Sequence, residues 1–168
     1  MASITQPLRE EHAELRPEIE AIRAAADSVG RGSPAALSES VERAHAFLSG
    51  LLIAHAAAEE EVLYPVVAEA MGSPDATRTM ALDHAEIRRL TGRLGELRQA
   101  LTAGALEDEG ELRMVLYGLY VLIRLHLDKE EQAYLPLLED RLKAEEAAEM
   151  FHRMEAAAAR AKHQVSSG

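Results

Sequence analysis

The sequence predicts an all-α protein. The expected fold is an up-down-up-down four-helix bundle, made of an internal twofold helical-hairpin repeat, with a short C-terminal fifth helix. Three observations lead there. Aromatic residues make up 4% of the 168 positions and β-branched residues are sparse, whereas Ala, Leu, Glu and Arg dominate; that composition favours helix over strand. Breaks rich in glycine and proline are few, and they cut the chain into long segments. Within the segments apolar residues recur every three or four positions, the stripe of a helix with one buried face.

The first segment covers roughly 5–28 and ends at "SVGRGSP", where Ser33 is suited to an N-cap and Pro34 to the first helical position. The second, 34–71, carries Leu37, Val41, Ala44, Leu48, Leu51, Leu52 and His55 at helical spacing. "MGSPD" follows, with Gly72 expected to end that helix and Ser73-Pro74 to start the next. The third segment runs over 74–103 to "TAGALEDEG". The fourth, 108–140, repeats the stripe with Leu112, Val115, Leu116, Leu119, Leu122, Ile123 and His126. Short breaks between long helices make sequential neighbours antiparallel, so residues 1–142 form the bundle. Residues 143–163 predict a fifth helix that docks on it through Met150, Phe151 and Met154. The final "QVSSG", 164–168, is expected to fray as a disordered tail.

Charge narrows the function. The net charge of −11 repels polyphosphates and disfavours nucleic-acid partners, while it suits a cation. No apolar run reaches membrane-spanning length, so no membrane partner is expected. The start "MASITQPLREEH" lacks the basic and apolar regions of a signal peptide, and a cytoplasmic location is the default expectation. There is no cysteine. Any metal must therefore be held by nitrogen and oxygen. Nothing in the sequence specifies an oligomeric state.

One motif is written twice. "HAAAEEEVLYP" begins at His55 and "HLDKEEQAYLP" at His126; His55 to His126, Glu59 to Glu130 and Pro65 to Pro136 all span 71 positions. "EHAELR" around His12 is echoed by "DHAEIR" around His84, 72 positions later. Each half is thus a helical hairpin bearing one histidine on its first helix and His-x-x-x-Glu on its second. A residue four positions on is rotated by only about 40°, so each His/Glu pair points into the bundle. Convergence of the two hairpins would join four histidines to two glutamates. An old duplication kept for packing is the alternative, but two buried carboxylates then need compensation, for which Arg16 and Arg88 are the nearby cations. Imidazole and carboxylate without sulfur suit iron, manganese or zinc, and six donors suit two six-coordinate ions better than one tetrahedral ion.

"EHAEL", "HAAAEEEVLYP", "DHAEI" and "HLDKEEQAYLP" together resemble the hemerythrin-like, or HHE cation-binding, domains over about residues 5–142. The resemblance implies a four-helix bundle around two non-haem iron ions with oxo or hydroxo and carboxylate bridges. By position it implies His12 and His55 on one iron, His84 and His126 on the other, and Glu59 and Glu130 as bridges. The chain departs from the oxygen carriers of the family. Arg88 stands where those have a further histidine, and His126 to Glu130 is shorter than their histidine-to-aspartate spacing. A missing histidine leaves a place for solvent, another side chain or a reactant. That points away from reversible oxygen carriage and towards peroxide or nitric-oxide chemistry. The expected ligand is a small diatomic or a peroxide. A sensor or interaction module without turnover is the other reading; iron storage is disfavoured because a defined site holds few ions.

Around these residues, Glu60 and Glu131 are read chiefly as solvated helix edge, with orientation of a ligand histidine as the functional alternative. Tyr64, Tyr134, Tyr117 and Tyr120 are read as packing. His45 is expected in the core or a groove, and His152 and His163 at the surface. Pro65 and Pro136 predict a shared bend beyond each glutamate, and Pro17 a similar bend in the first helix.

Overall fold

The computed structural model describes residues 3–166, and among them it has five helices and no strand. They are α1 (Gln6–Ser28), α2 (34–71), α3 (Arg78–Thr102), α4 (109–141) and α5 (Ala144–Ser166). α1 packs beside α2 and α4, and α3 packs beside the same two, so the first four helices close a ring in chain order. α5 lies outside the ring against the middle of α2.

Local chemistry sets most of the boundaries. The Ser33 hydroxyl accepts from the Ala36 amide at 3.2 Å, capping α2 with Pro34 in the first turn. Gly72 ends that helix at φ +67°, in the left-handed conformation that favours glycine. Asp108 caps α4 through the Glu111 amide at 3.0 Å. α3 begins at Arg78, later than Ser73-Pro74 led us to expect. Residues 74–77 form turns instead, anchored by the Tyr134 hydroxyl donating to the Ala76 carbonyl at 3.2 Å. α5 continues through Ser166, with no glycine or proline to interrupt the chain there. Residues 167 and 168 lie outside the described residues.

The bends expected at Pro65 and Pro136 take a different form. Each proline follows a five-residue π-helical segment, Glu59–Leu63 in α2 and Glu130–Tyr134 in α4, and sits in the first turn of the α-helix that resumes. A proline lacks an N–H and its ring crowds the carbonyl four residues back; a wider turn relieves that clash without breaking the rod. A third π segment, Leu48–Leu52, lies upstream in α2. Pro17 lies inside α1.

The core is divided into two apolar clusters. One holds Leu15, Ile19, Leu48, Leu52, Ile87, Ile123 and Leu127 among others. The second holds Leu8, Val62, Tyr64, Met80, Leu135 and Leu138, and includes Met150, Phe151 and Met154, by which α5 docks. The chain crosses between the clusters at the histidine in α1 and α3, where Leu8 and Leu15 flank His12 and Met80 and Ile87 flank His84, and at Glu130 in α4, between Leu127 and Tyr134. The polar layer is thus sealed between two apolar ones.

Candidate metal centre

All six residues singled out from the sequence meet in that layer. His12, His55, Glu59, His84, His126 and Glu130 are at most 3% exposed. Their donor atoms form two groups, each within 4.8 Å: His12, His55, Glu59 and Glu130, and Glu59, His84 and His126. Both carboxylates reach across. Glu59 Oε1 lies 2.8 Å from His55 Nε2, and its Oε2 lies 3.3 Å from His84 Nε2. Glu130 Oε2 lies 3.5 Å from His12 Nε2, and its Oε1 lies 3.3 Å from His126 Nε2.

The outer nitrogens are all engaged. His12 Nδ1 meets Glu131 at 3.2 Å, His55 Nδ1 meets Glu11 at 3.0 Å, His84 Nδ1 meets Glu60 at 2.9 Å and His126 Nδ1 meets Asp83 at 3.1 Å. These contacts join α1 to α4, α2 to α1, α3 to α2 and α4 to α3, a closed ring of histidine–carboxylate bonds around the bundle. Three of the carboxylates are held in turn by a cation: Glu131 by Arg16 at 3.0 Å, Glu60 by Arg88 at 2.9 Å, and Asp83 by Lys129. Glu60 and Glu131 are therefore not plain solvated edge; each orients a histidine. Arg16 and Arg88 support the outer carboxylates rather than neutralising Glu59 and Glu130.

This wiring tests whether the residues suit a metal. A carboxylate at Nδ1 places the imidazole proton there, leaving Nε2 with its lone pair. All four Nε2 atoms then face the centre as acceptors. His84 Nε2 and His126 Nε2 stand 2.8 Å apart, a repulsive pair of lone pairs unless a cation lies between them. His12 Nε2, His55 Nε2, both oxygens of Glu59 and Glu130 Oε2 are buried with no aligned hydrogen-bond partner. A layer of buried acceptors with few donors is costly on its own, and a cation removes the cost. Without a metal, the same cluster of acceptors draws protons instead. Burial opposes charge on His55 and His126, but Glu59 and Glu11 hold His55 well above the imidazole range, and Glu130 and Glu59 push His126 up to about 10. Burial would raise Glu59, yet His55, His12 and His126 hold it well below the carboxylate range; burial and the charge of Glu59 hold Glu130 above that range.

Tyr64 was read as packing and is instead part of the site. Its hydroxyl donates to Glu130 Oε1 at 2.9 Å and stands 3.3 Å from His84 Nε2 and 3.2 Å from His126 Nε2. Burial, with the charges of Glu59 and Glu130, pushes the phenol up and keeps it protonated. Counted at 100° per residue, Tyr64 faces away from His55. The π segment after Glu59 turns about 80° per residue, which returns Tyr64 to the inward face. Its repeat counterpart is Leu135, so duplication offered no hint. Glu11 and Asp83 were also missed. Their signal was present, an acid immediately before both His12 and His84.

The other readings fall outside the layer. Tyr134 packs edge-on to Tyr64 with its hydroxyl turned to the loop at Ala76. Tyr117 and Tyr120 pair with Asp27 and Glu20 on α1. His45 is half-buried over Gly95, where a Cβ would come within 2.9 Å of its Nε2. His152 and His163 are exposed. No described helix is long and apolar enough to cross a membrane.

Among curated proteins and solved structures, none matches the chain. The sequence model described as the hemerythrin HHE cation-binding domain matches residues 3–138.

Proposed function

The chain belongs to the hemerythrin HHE cation-binding family, and on that premise we propose that it is a non-haem di-iron protein that binds or reduces a small oxidant: oxygen, peroxide or nitric oxide. The carrying observation is the donor set, four inward lone-pair nitrogens and two carboxylates that each span both halves of the layer. His12 and His55 would hold one ion, His84 and His126 the other, with Glu59 and Glu130 between them and an oxo or hydroxo bridge completing the pair. Iron so held would supply the redox chemistry for binding or reducing the oxidant, with an external electron donor needed to restore it between turnovers.

The remaining residues shape what reaches it. A small cavity of about 10 Å³ adjoins His55, His84 and His126, walled by Leu52, Ile53, Ala56, Ile87, Ile123 and Leu127. It has room for about one water-sized molecule, which puts an apolar opening of the smallest size beside these three histidines. Arg88 closes its outer side. Tyr64 is the inward hydroxyl on the His84/His126 half, placed to donate a proton or an oxygen where a missing histidine leaves room. The ring of outer carboxylates fixes the tautomer of each histidine and so keeps all four Nε2 atoms available.

Metal content per chain, with the optical spectrum of freshly purified protein, tests the proposal. About two irons and a charge-transfer band between bridging oxygen and iron are expected. Stoichiometric zinc without iron, after iron-replete expression, refutes the redox function. Loss of peroxide or nitric oxide on repeated addition separates turnover from a sensor that binds its ligand and holds it.

A further inference from the structure

The two hairpins match in sequence and in the metal layer, but not on their outer surfaces. α5 covers α2 along the segment Ile53–Ala58, and Ala54 there is fully buried. The position 71 residues later on α4 is Leu125, and it is 54% exposed. No helix among the described residues covers that seam. Leu82 on α3 and Met114, Val121 and Leu125 on α4 account for four of the six exposed large apolar side chains among the described residues, so the apolar exposure is concentrated rather than scattered.

We propose that this seam is a homodimer interface, with α4 of a second copy packed antiparallel on it. The sequence of α4 suits a twofold contact. Met114, Gly118, Val121 and Leu125 recur at four, three and four residues, the spacing of a helix–helix seam. A twofold axis between Gly118 and Val121 sets Leu125 opposite Met114 of the second copy, and Val121 opposite the gap left by Gly118. Large faces large and small receives branched, in the self-complementary manner an isologous interface requires.

Charge permits a second copy as occupant, and the self-complementary spacing favours it. Residues 78–129, which span α3 and most of α4, hold eight Lys or Arg and eight Asp or Glu, so the net −11 lies on the rest of the chain. Two copies that meet through this segment bring no net charge into the contact. The charged neighbours of the seam are also paired off already, Glu86 with Arg89, Asp83 with Lys129 and Glu111 with Arg93. They present little unmatched charge to attract a strongly acidic or basic partner. The contact leaves the six inward residues untouched, so the proposal is independent of which metal they hold.

Light scattering on the full-length, metal-loaded protein across a wide concentration range is the test. A mass approaching twice 18.3 kDa is expected, and Val121→Glu with Leu125→Glu should return it to a single chain with helicity and metal content unchanged. The native chain has no cysteine, so Val121→Cys should form an intermolecular disulfide on mild oxidation. Met71→Cys, 52% exposed away from the seam, should not. A wild-type protein that stays monomeric throughout overturns the proposal. So does a dimer that survives the double substitution, or a Val121→Cys protein that cross-links no faster than Met71→Cys. Should the double variant fail to fold, the cysteine pair decides.

Discussion

Removing the Glu60 carboxylate with Glu60→Ala should weaken metal binding at the His84/His126 half without altering a single inward donor. Glu60 Oε1 is 2.9 Å from His84 Nδ1 and 2.9 Å from Arg88, and it is the group that keeps the imidazole proton on the outer nitrogen. Without it, the ring loses its fixed tautomer and orientation. Loss of such a supporting carboxylate reduces affinity by about 10- to 100-fold, roughly 1.4 to 2.8 kcal/mol. Arg88→Ala acts one step farther out, through an ion pair whose partners are 41% and 33% exposed; an exposed pair is worth about 0.2–1 kcal/mol, less than about sixfold. Glu61→Ala removes a carboxylate 58% exposed and paired only with Arg160, and should leave affinity as it was. Chelator competition with zinc as a redox-silent probe gives the three affinities. The order Glu60, then Arg88, then Glu61 is expected, with one of two bound ions affected. Wild-type affinity for both ions in Glu60→Ala, or an equal loss in Glu61→Ala, would refute the role assigned to the outer carboxylates.

Other substitutions probe the same layer. Glu59→Ala removes the one residue common to both donor groups; it should lose both ions and thermal stability together, since binding couples to folding, and iron content alongside a melting curve checks this. Tyr64→Phe keeps the ring and deletes the hydroxyl that donates to Glu130. It should cost the metal-free protein about 1.5–3 kcal/mol in denaturant unfolding, the worth of a hydrogen bond to a charged group, and an unchanged midpoint would argue against that bond. A pH dependence is expected at Glu139. Bonds from Ser3, the Thr5 hydroxyl and the Thr5 amide hold its carboxyl at about 2, below its ordinary 4.5. A depressed carboxyl stabilises the fold above its unfolded value and loses that contribution as pH falls through the folded one. Wild type should therefore lose more stability than Glu139→Gln between pH 4.5 and 2. Because the group is solvent-exposed, the difference should be only about 1 kcal/mol. Parallel acid titrations without such a divergence would remove Glu139 from the account of how α1 is anchored.

Much of this architecture was legible because it rests on local chemistry. Ser33, Gly72 and the aliphatic stripes each act within a few residues, so pattern alone placed α1, α2 and α4 and turned His55 and His126 inward. The start of α3 was misjudged because the turns at 74–77 answer to a distant residue, the Tyr134 hydroxyl bound to Ala76. Tyr64 was missed for a related reason. Helical phase was counted as if every turn were alike, and Pro65 had already widened the turn between Glu59 and Tyr64. Glu60 illustrates a different limit. An acidic residue on a helix edge looks the same in sequence whether it meets water or the Nδ1 of a histidine on the next helix.

The two halves agree where charge must be balanced and differ where a reactant or a partner would be met. Histidines, inward carboxylates, outer carboxylates and the Arg16 and Arg88 supports all recur at an offset of 71 or 72. A buried layer of acceptors keeps its balance only while the inward donors and their outer partners stay matched. The exceptions are few. Tyr64 faces the layer where its counterpart is Leu135. Lys129 braces Asp83 where its counterpart, Ala58, leaves Glu11 at 43% exposure without an equivalent brace. α5 covers one hairpin and not the other. The first two make the halves of the centre chemically unequal, with a hydroxyl on the His84/His126 side and a more solvent-linked carboxylate behind His55. Equal halves would divide bound ligand and electrons evenly. Unequal ones, under the function proposed above, would offer a small oxidant two different surroundings: the Tyr64 hydroxyl from the layer of Leu135 and Leu138, and the small cavity lined by His55, His84 and His126 on the side of Leu52 and Ile123.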